Sequence, residues 1–302
     1  MTAPGQAEDE VWTVGRLLRW TTEFLTRHGS ESPRLESEIL LAKALDWQRV
    51  KLYMNINEEV GGLGRTLFRE LVKKRAAGEP VAYLVGHKEF YSLDFEVSRD
   101  VLIPRPDTEL LVMTFLELAK EVDSPLCVDV GTGSGCVAVA CTKHHPSARF
   151  IAIDKSANAL AVAGRNIARH GFSERIERRQ GSLLEPLTAE ERPGFIVSNP
   201  PYIATSEIAG LDSAVRNFEP LEALNGGPDG LELVRELLRQ AAFRIGPEGT
   251  ILIEVGHDQA ATVQSEYARS AEWDFKGIRK DLGGNARLVI LTKKNKFQSL
   301  AI

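Results

Sequence analysis

The residues Leu126-Cys127-Val128-Asp129-Val130, followed at once by Gly131-Thr132-Gly133-Ser134-Gly135, decide the fold. The first five form a short run of mostly apolar residues, which is typical of a buried strand. Glycine-rich residues directly after a strand let a ligand approach the backbone closely. The segment therefore predicts the first strand and the ligand-binding loop of an α/β domain.

The chain after this segment repeats the order strand, loop, helix. Seven strands are expected, at 126–130, 149–153, 176–179, 195–198, 250–255, 273–277 and 286–291. Helices are expected at 110–120, 136–143, 158–170, 231–244 and 258–268, with Asp107 or Thr108 as the cap of the first. Alternating β and α units predict a mostly parallel, doubly wound sheet.

The first hundred residues have a different pattern. Residues 1–10 are polar and acidic, which favours a disordered tail. Apolar residues at helical spacing in 14–25, 33–45 and 63–77 predict a small helical bundle. Alternation of apolar and polar residues over 91–97 predicts a half-buried strand, with 83–90 as its partner strand or as a linker.

Composition limits the function classes. The 302 residues are 43% hydrophobic and 26% charged, as in ordinary soluble proteins, and the net charge of −5 argues mildly against a dedicated duplex-binding protein. We expect no signal peptide, no membrane span and a cytoplasmic location. The three cysteines lack CxxC spacing and the six histidines lack ligand-like spacing, so no metal is expected.

An acidic residue, Asp154, ends the second strand about 20 residues after the glycine loop, which is the spacing used to bind a ribose. The loop is Gly-x-Gly-x-Gly, with Cys136 where the dinucleotide fingerprint has its third glycine, and it is not a P-loop. The order strand, loop, helix, strand and acid therefore favours binding of a nucleoside. The alternative is that Asp154 caps the helix that begins near Ser156.

A second motif, Asn199-Pro200-Pro201-Tyr202, directly follows the fourth strand. Proline has no N–H to donate, so the motif must end the strand and lie at the carboxyl edge of the sheet, where ligands bind. The amide oxygen of Asn199 and the carbonyl of Pro200 could hold both hydrogens of a planar –NH₂ group, and the ring of Tyr202 could pack on its plane. The alternative is a plain turn after a buried strand.

Together the two motifs favour S-adenosylmethionine as the cofactor. The glycine loop and Asp154 suit a ribose and adenine without requiring phosphate. The clamp that Asn199 and Pro200 would form on an –NH₂ group needs an electrophile small enough to reach the nitrogen. A sulfonium methyl meets that need, and such positioning can supply ~7–11 kcal/mol of a barrier. The domain is thus similar to the class I methyltransferases. The proton would leave the nitrogen after the attack, because Asn199 is not a base.

Further segments of the chain resemble the release factor glutamine methyltransferases. One of them is Ile103-Pro104-Arg105-Pro106-Asp107-Thr108-Glu109. The resemblance covers nearly the whole chain after the first ten residues, in the order of the family, and rests on residues 78–86, 89–91, 101–109, 199–202, 219–224 and 227–231.

The resemblance implies transfer of a methyl group to the side-chain N5 of the glutamine in the Gly-Gly-Gln motif of class I peptide-chain release factors, which tunes translation termination. It implies a helical substrate-recognition domain at 11–80, a β-hairpin linker at 81–104 and a methyltransferase domain at 105–302. We expect a monomer that uses neither a membrane nor a nucleic-acid substrate.

The resemblance also implies roles for individual residues. The cofactor would contact Gly131, Thr132, Gly133, Ser134, Gly135, Asp154 and Asn199. The glutamine would be bound by Asn199, Pro200, Pro201 and Tyr202, of which Asn199, Pro200 and Tyr202 would be catalytic. The family usually has an acidic residue and a bulky one after the third strand. Ser182 and Leu183 stand there in this chain, and we expect them to contact the adenine.

Three alternatives stay open at this stage. A glutamine amide and an adenine amine are both planar –NH₂ groups, so the clamp also suits an adenine N6-methyltransferase acting on nucleic acid. The acidic net charge and the lack of a sizeable basic or aromatic segment argue against it. A methyltransferase for a glutamine of a ribosomal protein would share the catalytic motif. A catalytically idle adaptor is disfavoured by the intact glycine loop, Asp154 and Asn199.

Overall fold

The structure is a computed structural model that describes residues 11–295. These residues divide into two compact units, with the division after Gly86. The predicted tail at 1–10 lies outside the described residues. The division falls within the linker predicted at 81–104.

The first unit is helical. Between residues 11 and 86 the helices are α1 (Val14–Arg27), α2 (Pro33–Leu45), α3 (Arg49–Met54), α4 (Gly62–Ala76) and α5 (Val81–Val85). The three predicted helices are confirmed as α1, α2 and α4. The apolar faces of these helices enclose a core that includes Leu18, Leu40, Leu41, Leu52 and Phe68.

Helix α5 was not predicted from the sequence, which suggested a strand or a linker from residue 83. Pro80 precedes the helix, and its fixed φ is compatible with a helix start. Gly86 ends the helix in the left-handed conformation, with φ 84°, which glycine adopts without strain.

A β-hairpin opens the second unit. Strands β1 (His87–Phe90) and β2 (Leu93–Glu96) pair antiparallel. Tyr91 and Ser92 form the turn between them with φ of 50° and 59°, so the strand predicted over 91–97 is wrong at its start. Glu109 Oε1 accepts a hydrogen bond from the Tyr91 N–H at 3.0 Å, which holds the turn. The hairpin packs into the core of the second unit through Phe90 and Phe95.

The rest of the second unit alternates strands and helices. The strands of its seven-stranded sheet are β3 (Leu126–Val130), β4 (Arg149–Asp154), β5 (Ile176–Gln180), β6 (Phe195–Ser198), β7 (Thr250–Glu254), β8 (Trp273–Lys280) and β9 (Ala286–Lys293). The helices of this part, up to residue 295, are α6 (Glu109–Ala119), α7 (Cys136–His144), α8 (Ala157–Arg169), α9 (Ser213–Phe218), α10 (Glu232–Arg244) and α11 (Ala260–Tyr267). All seven predicted strands are present.

The strand order is β5-β4-β3-β6-β7-β9-β8. The first five strands run parallel, and β9 pairs antiparallel with both β7 and β8, so the predicted mostly parallel sheet is confirmed. Apolar clusters cover the sheet on both faces, as parallel sheets require.

The order of strands reverses between β3 and β6. From β3 the chain moves outward to β4 and β5, then crosses to the other side of β3 to form β6. Val130 at the end of β3 lies opposite Ser198 at the end of β6 in the register. The Ser198 hydroxyl donates to the Val130 carbonyl at 2.8 Å. The loops that follow these two strands therefore begin side by side, at the place where open α/β sheets bind ligands.

Candidate active site

The glycine loop after β3 has a backbone that only glycine adopts without strain. Gly131, Gly133 and Gly135 have φ of 71°, 54° and 80°. The N–H groups of Gly131 and Thr132 donate to the Ile153 carbonyl at 2.9 and 3.0 Å, which ties the loop to the end of β4. The loop therefore turns back over the sheet edge and leaves space above it.

A carboxylate inside β3 supports this loop. Asp129 is buried, and its Oδ2 accepts hydrogen bonds from the Thr132 hydroxyl at 2.7 Å and from the Ala138 N–H at 3.3 Å. Burial raises the pKa of Asp129 to about 6 against the effect of these two hydrogen bonds. Asp129 therefore joins the loop to the first turn of α7. Sequence reasoning treated it only as part of the strand.

Asp154 holds the loop from the other side. One carboxylate oxygen accepts from the Gly133 N–H and the other from the Ser156 N–H, both at 2.9 Å. Burial is the main cause that raises its pKa, while the backbone hydrogen bonds act to lower it. Ser156 itself is the N-cap of α8, since its hydroxyl accepts from the Ala159 N–H at 3.1 Å. Capping thus falls mainly to Ser156, and Asp154 lines the cavity.

The side chain of Asn199 is fixed by a residue from a distant part of the chain. Its Nδ2 donates a hydrogen bond to the Thr108 hydroxyl at 3.0 Å. Thr108 was predicted as a possible helix cap, and it does precede α6, but its side chain makes no capping hydrogen bond because its backbone is helical. Its hydroxyl contacts Asn199 instead.

The rest of the motif is held through its backbone. The Gln259 side-chain N–H donates to the Tyr202 carbonyl at 2.7 Å, and its Oε1 accepts from the Gly256 N–H at 2.8 Å. A β-carbon added to Gly226 would lie 2.6 Å from the Pro201 carbonyl oxygen. The segment after residue 224 therefore packs directly against the turn formed by Pro200, Pro201 and Tyr202.

Two further buried carboxylates border the site. Glu219 accepts from the Arg105 guanidinium at 2.5 Å and from the Ile103 N–H at 3.4 Å, which joins the segment 101–109 to the segment 219–224. Glu254 at the end of β7 is 2% exposed, and burial raises its pKa to about 7. The hydroxyl of Thr108 acts to lower the pKa of Glu254, against the effect of burial.

These elements enclose a cavity of about 660 Å³. The predicted site residues that line it are Gly131, Thr132, Gly133, Ser134, Asp154, Ser182, Leu183, Asn199, Pro200 and Pro201. Gly135 and Tyr202 are not among the lining residues. A β-carbon on Gly135 would meet Ala163 of α8 at 3.3 Å, so this glycine lets the loop pack on that helix. Tyr202 is half-buried, and burial raises the pKa of its phenol, with the charge of Glu254 as the next cause.

The residues that line this cavity fit an adenosine-type ligand with a positively charged end. Asp154 and the loop offer polar groups for a ribose, Leu183 offers an apolar contact, and the buried carboxyl groups nearby favour a cation over a phosphate. Among residues 11–295, no group of three or more His, Cys, Asp or Glu side chains could hold a metal ion. In the same range no helix is long and apolar enough to cross a membrane.

Comparison with known proteins identifies the class of protein to which this chain belongs. Residues 106–217 match the family described as the methyltransferase small domain, and residues 16–86 match the PrmC N-terminal domain. The solved structure of a methyltransferase from Pyrococcus furiosus has the same fold, with a TM-score of 0.52, 19% identity and coverage of 75% of this chain and 98% of that one. The chain is a methyltransferase.

Two relatives make the assignment more specific. The release factor glutamine methyltransferase of Rhodopirellula baltica is 40% identical over 95% of this chain and 98% of its own length. That of Geobacter sulfurreducens is 41% identical over 91% of this chain and 97% of its own. The chain belongs to the release factor glutamine methyltransferase family, as the resemblance in the sequence implied.

Sequence reasoning missed several residues of the site. Asp129 and Glu254 each carry a charge inside an otherwise apolar strand, where a charge is costly unless it has a role, so the signal was present. Gln259 gave no comparable signal, and Glu219 stood out only as part of the segment 219–224 that resembles the family. Their contacts depend on tertiary structure.

Proposed function

We propose that this protein transfers a methyl group from S-adenosylmethionine to the side-chain nitrogen of the glutamine in the Gly-Gly-Gln motif of class I release factors. Membership of the family supports this substrate over an adenine or a glutamine of a ribosomal protein. The single observation that carries the chemical part of the proposal is the hydrogen bond from Asn199 Nδ2 to Thr108, at the point where the strand order reverses.

That hydrogen bond determines which atom of Asn199 serves the substrate. Because Nδ2 donates to Thr108, the opposite atom of the planar amide, Oδ1, is the one available to an incoming –NH₂ group. Oδ1 and the Pro200 carbonyl would accept its two hydrogens. This grip would orient an otherwise weak nucleophile and stabilise the positive charge that develops on the nitrogen. Tyr202 would contribute by packing against the amide plane.

We propose that the cofactor is held by the glycine loop 131–135, by Asp154 through the ribose, and by Ser182 and Leu183 at the adenine. When bound, S-adenosylmethionine supplies an electrophilic methyl group. The residues of this chain orient the acceptor nitrogen. No basic side chain is needed at the nitrogen, because its proton can leave to solvent after the transfer.

The helical unit is proposed to recognise the release factor, with the hairpin that follows it joining recognition to catalysis. We propose further that the protein acts as a monomer in the cytoplasm, where release factors work. Sedimentation of the purified protein with its substrate tests the oligomeric state.

Mass spectrometry of a class I release factor incubated with this protein and isotope-labelled S-adenosylmethionine tests the proposed function. We expect one labelled methyl group on the glutamine of the Gly-Gly-Gln motif. A release factor with Gly-Gly-Ala and a DNA duplex serve as controls and should stay unlabelled. Labelled DNA, or an unmodified glutamine in the release factor, would contradict the proposal.

A further inference from the structure

The segment 100–108, which leads from the hairpin to α6, is attached to both sides of the site. At one end, Asp100 Oδ1 accepts a hydrogen bond from Asn158 Nδ2 of α8 at 3.2 Å. At the other end, the Thr108 hydroxyl accepts from Asn199 Nδ2 at 3.0 Å. Helix α8 follows β4 and Asn199 follows β6, and these two strands are the neighbours of β3 in the sheet. The segment is therefore anchored on both sides of β3, the strand whose end carries the glycine loop.

Arg105 lies in this segment, and its side chain is held at one of its nitrogen atoms. Arg105 Nη2 donates to Glu219 Oε1 at 2.5 Å, and Glu219 also accepts from the Ile103 N–H at 3.4 Å. The side chain of Glu219 is 2% exposed, whereas that of Arg105 is 33% exposed and lines the cavity. A guanidinium carries several N–H donors in one plane, so the nitrogen atoms that do not contact Glu219 can donate to a ligand.

A positive side chain is unusual in the lining of this cavity. The described residues that line it include several carboxyl groups, namely Asp100, Asp129, Asp154, Glu222 and Glu232. Its positive side chains in the same range are Arg105 and Lys155. Lys155 directly follows Asp154, on the side proposed for the ribose, whereas Arg105 lies three positions before Thr108, the partner of Asn199. Because the carboxylates repel a negative group, a negative group of a ligand near Asn199 would bind at Arg105.

We propose that Arg105 binds the carboxylate of the methionine part of S-adenosylmethionine. The proposal deepens the proposed function and rests on it, because it concerns the same cofactor. The sulfonium sulfur of this cofactor joins a methyl group, an adenosyl group and an amino acid chain. With the ribose at Asp154 and the methyl group directed to Asn199, the amino acid chain is the branch that remains for Arg105.

This contact gives the cofactor a second anchor besides the ribose. A planar guanidinium matches the geometry of a carboxylate, and a hydrogen bond between two charged groups is stronger than one between neutral groups. Anchors on two of the three branches fix the sulfonium between them and direct the third branch, the methyl group, towards the acceptor nitrogen. The affinity for the cofactor should therefore depend on its carboxylate, and that dependence should require Arg105.

The test is isothermal calorimetry of the full chain with three ligands. They are S-adenosylmethionine, its decarboxylated form and 5′-methylthioadenosine, which lacks the whole amino acid chain. We expect the wild type to bind the decarboxylated form about 10-fold or more weakly than S-adenosylmethionine. Arg105→Gln should weaken binding of S-adenosylmethionine by a similar factor. The same variant should change the dissociation constants of the other two ligands less than twofold.

Two further variants make the test independent of the folding of Arg105→Gln. Arg105→Lys keeps the charge next to Glu219 but lacks the planar guanidinium, so it should show a smaller loss of affinity, again for S-adenosylmethionine alone. Arg75→Gln breaks a partly buried ion pair with Glu36 in the first unit and is the matched control. It should leave all three dissociation constants unchanged.

The outcomes separate this inference from the proposed function. If the wild type does not bind S-adenosylmethionine, the proposed function fails. If it binds S-adenosylmethionine and the decarboxylated form equally well, only the inference is overturned. The inference is also overturned if the Arg105 variants keep the wild-type affinity for S-adenosylmethionine, or if they weaken all three ligands by the same factor. The last result would mean that Arg105 and Glu219 only hold the two segments together.

Discussion

The buried carboxyl groups at the edge of the sheet lie close together but differ in the residues that they contact. Asp129 and Asp154 accept hydrogen bonds from the glycine loop, whereas Glu254 ends β7, the strand next to β6. Burial raises the pKa of all three. Two of these buried carboxyl groups, Asp129 and Asp154, thus hold the glycine loop in place.

Asp154 gives the first prediction at this scale. Asp154→Ala should raise the dissociation constant of S-adenosylmethionine about 10-fold or more, because it removes the proposed ribose acceptor and an anchor of the loop. Isothermal calorimetry measures the constant. Asp212→Ala removes an aspartate that caps α9 through the Ala214 N–H and is the matched control. Equal affinities for Asp154→Ala and the wild type would reassign Asp154 to helix capping.

Glu254 gives a second prediction, on stability. Its pKa is about 7 in the folded protein against a usual value of 4.5, so the native state holds this proton more tightly than the unfolded chain does. The stabilisation from protonation is complete below pH 4.5 and is lost as the pH rises through 7. The advantage of Glu254→Gln over the wild type should therefore grow by about 2–3 kcal/mol between pH 5 and pH 8. Urea unfolding at both pH values measures it, and a constant difference would contradict the prediction.

At the scale of elements, the turn after β6 depends on the segment that packs against it. Gly230 has φ 75°, and a β-carbon there would lie 2.2 Å from the Tyr202 carbonyl oxygen and 2.4 Å from Gln259 Nε2. The absence of a β-carbon at Gly230 therefore lets this segment and Gln259 pack directly against the backbone of the motif. The position of the turn at residues 199–202 is set by contacts between two loops as well as by the strand.

Gly230→Ala should accordingly displace this turn. We expect a loss of about 1–3 kcal/mol in the free energy of unfolding and a methylation rate reduced by more than 10-fold. Gly210→Ala is the matched control, because no atom lies within 4 Å of the added carbon, and it should change stability by less than about 0.5 kcal/mol. Thermal unfolding and initial rates compare the two variants. Similar behaviour of both would contradict the role of Gly230 in positioning the turn.

The sequence predicted these elements unevenly. The seven strands, the order of helices and the two ligand loops follow from hydrophobic period and from glycine and proline chemistry, which act locally. The turn at Tyr91 could not be predicted, because both of its residues have positive φ and its backbone is held by Glu109, 18 positions away. For the same reason the sequence suggested a helix cap at Thr108 but could not show that its hydroxyl contacts Asn199, 91 positions away.

At the scale of the whole molecule, the chain combines a helical unit with a methyltransferase unit that has its own core. All the residues that line the cavity lie between 100 and 233, within the second unit. Binding of the cofactor and recognition of a protein substrate can therefore be assigned to different parts of the chain.

Removal of residues 1–86 tests this division of roles. The remaining unit should bind S-adenosylmethionine with an unchanged dissociation constant, because the cavity is complete without the first unit. It should methylate full-length release factor at least 10-fold more slowly at low substrate concentration, while a short Gly-Gly-Gln peptide should be modified at similar rates by both forms. Normal methylation of release factor by the truncated enzyme would exclude the helical unit from recognition.

The most direct test of the account is the rate of methyl transfer by Asn199→Ala, measured in a single turnover with saturating cofactor and release factor. The account predicts a loss of at least about 100-fold, because the variant removes the acceptor that orients the nitrogen, while the cofactor dissociation constant rises only moderately. An Asn199→Ala enzyme with the wild-type rate would contradict it, since the amide could then have no part in holding the glutamine.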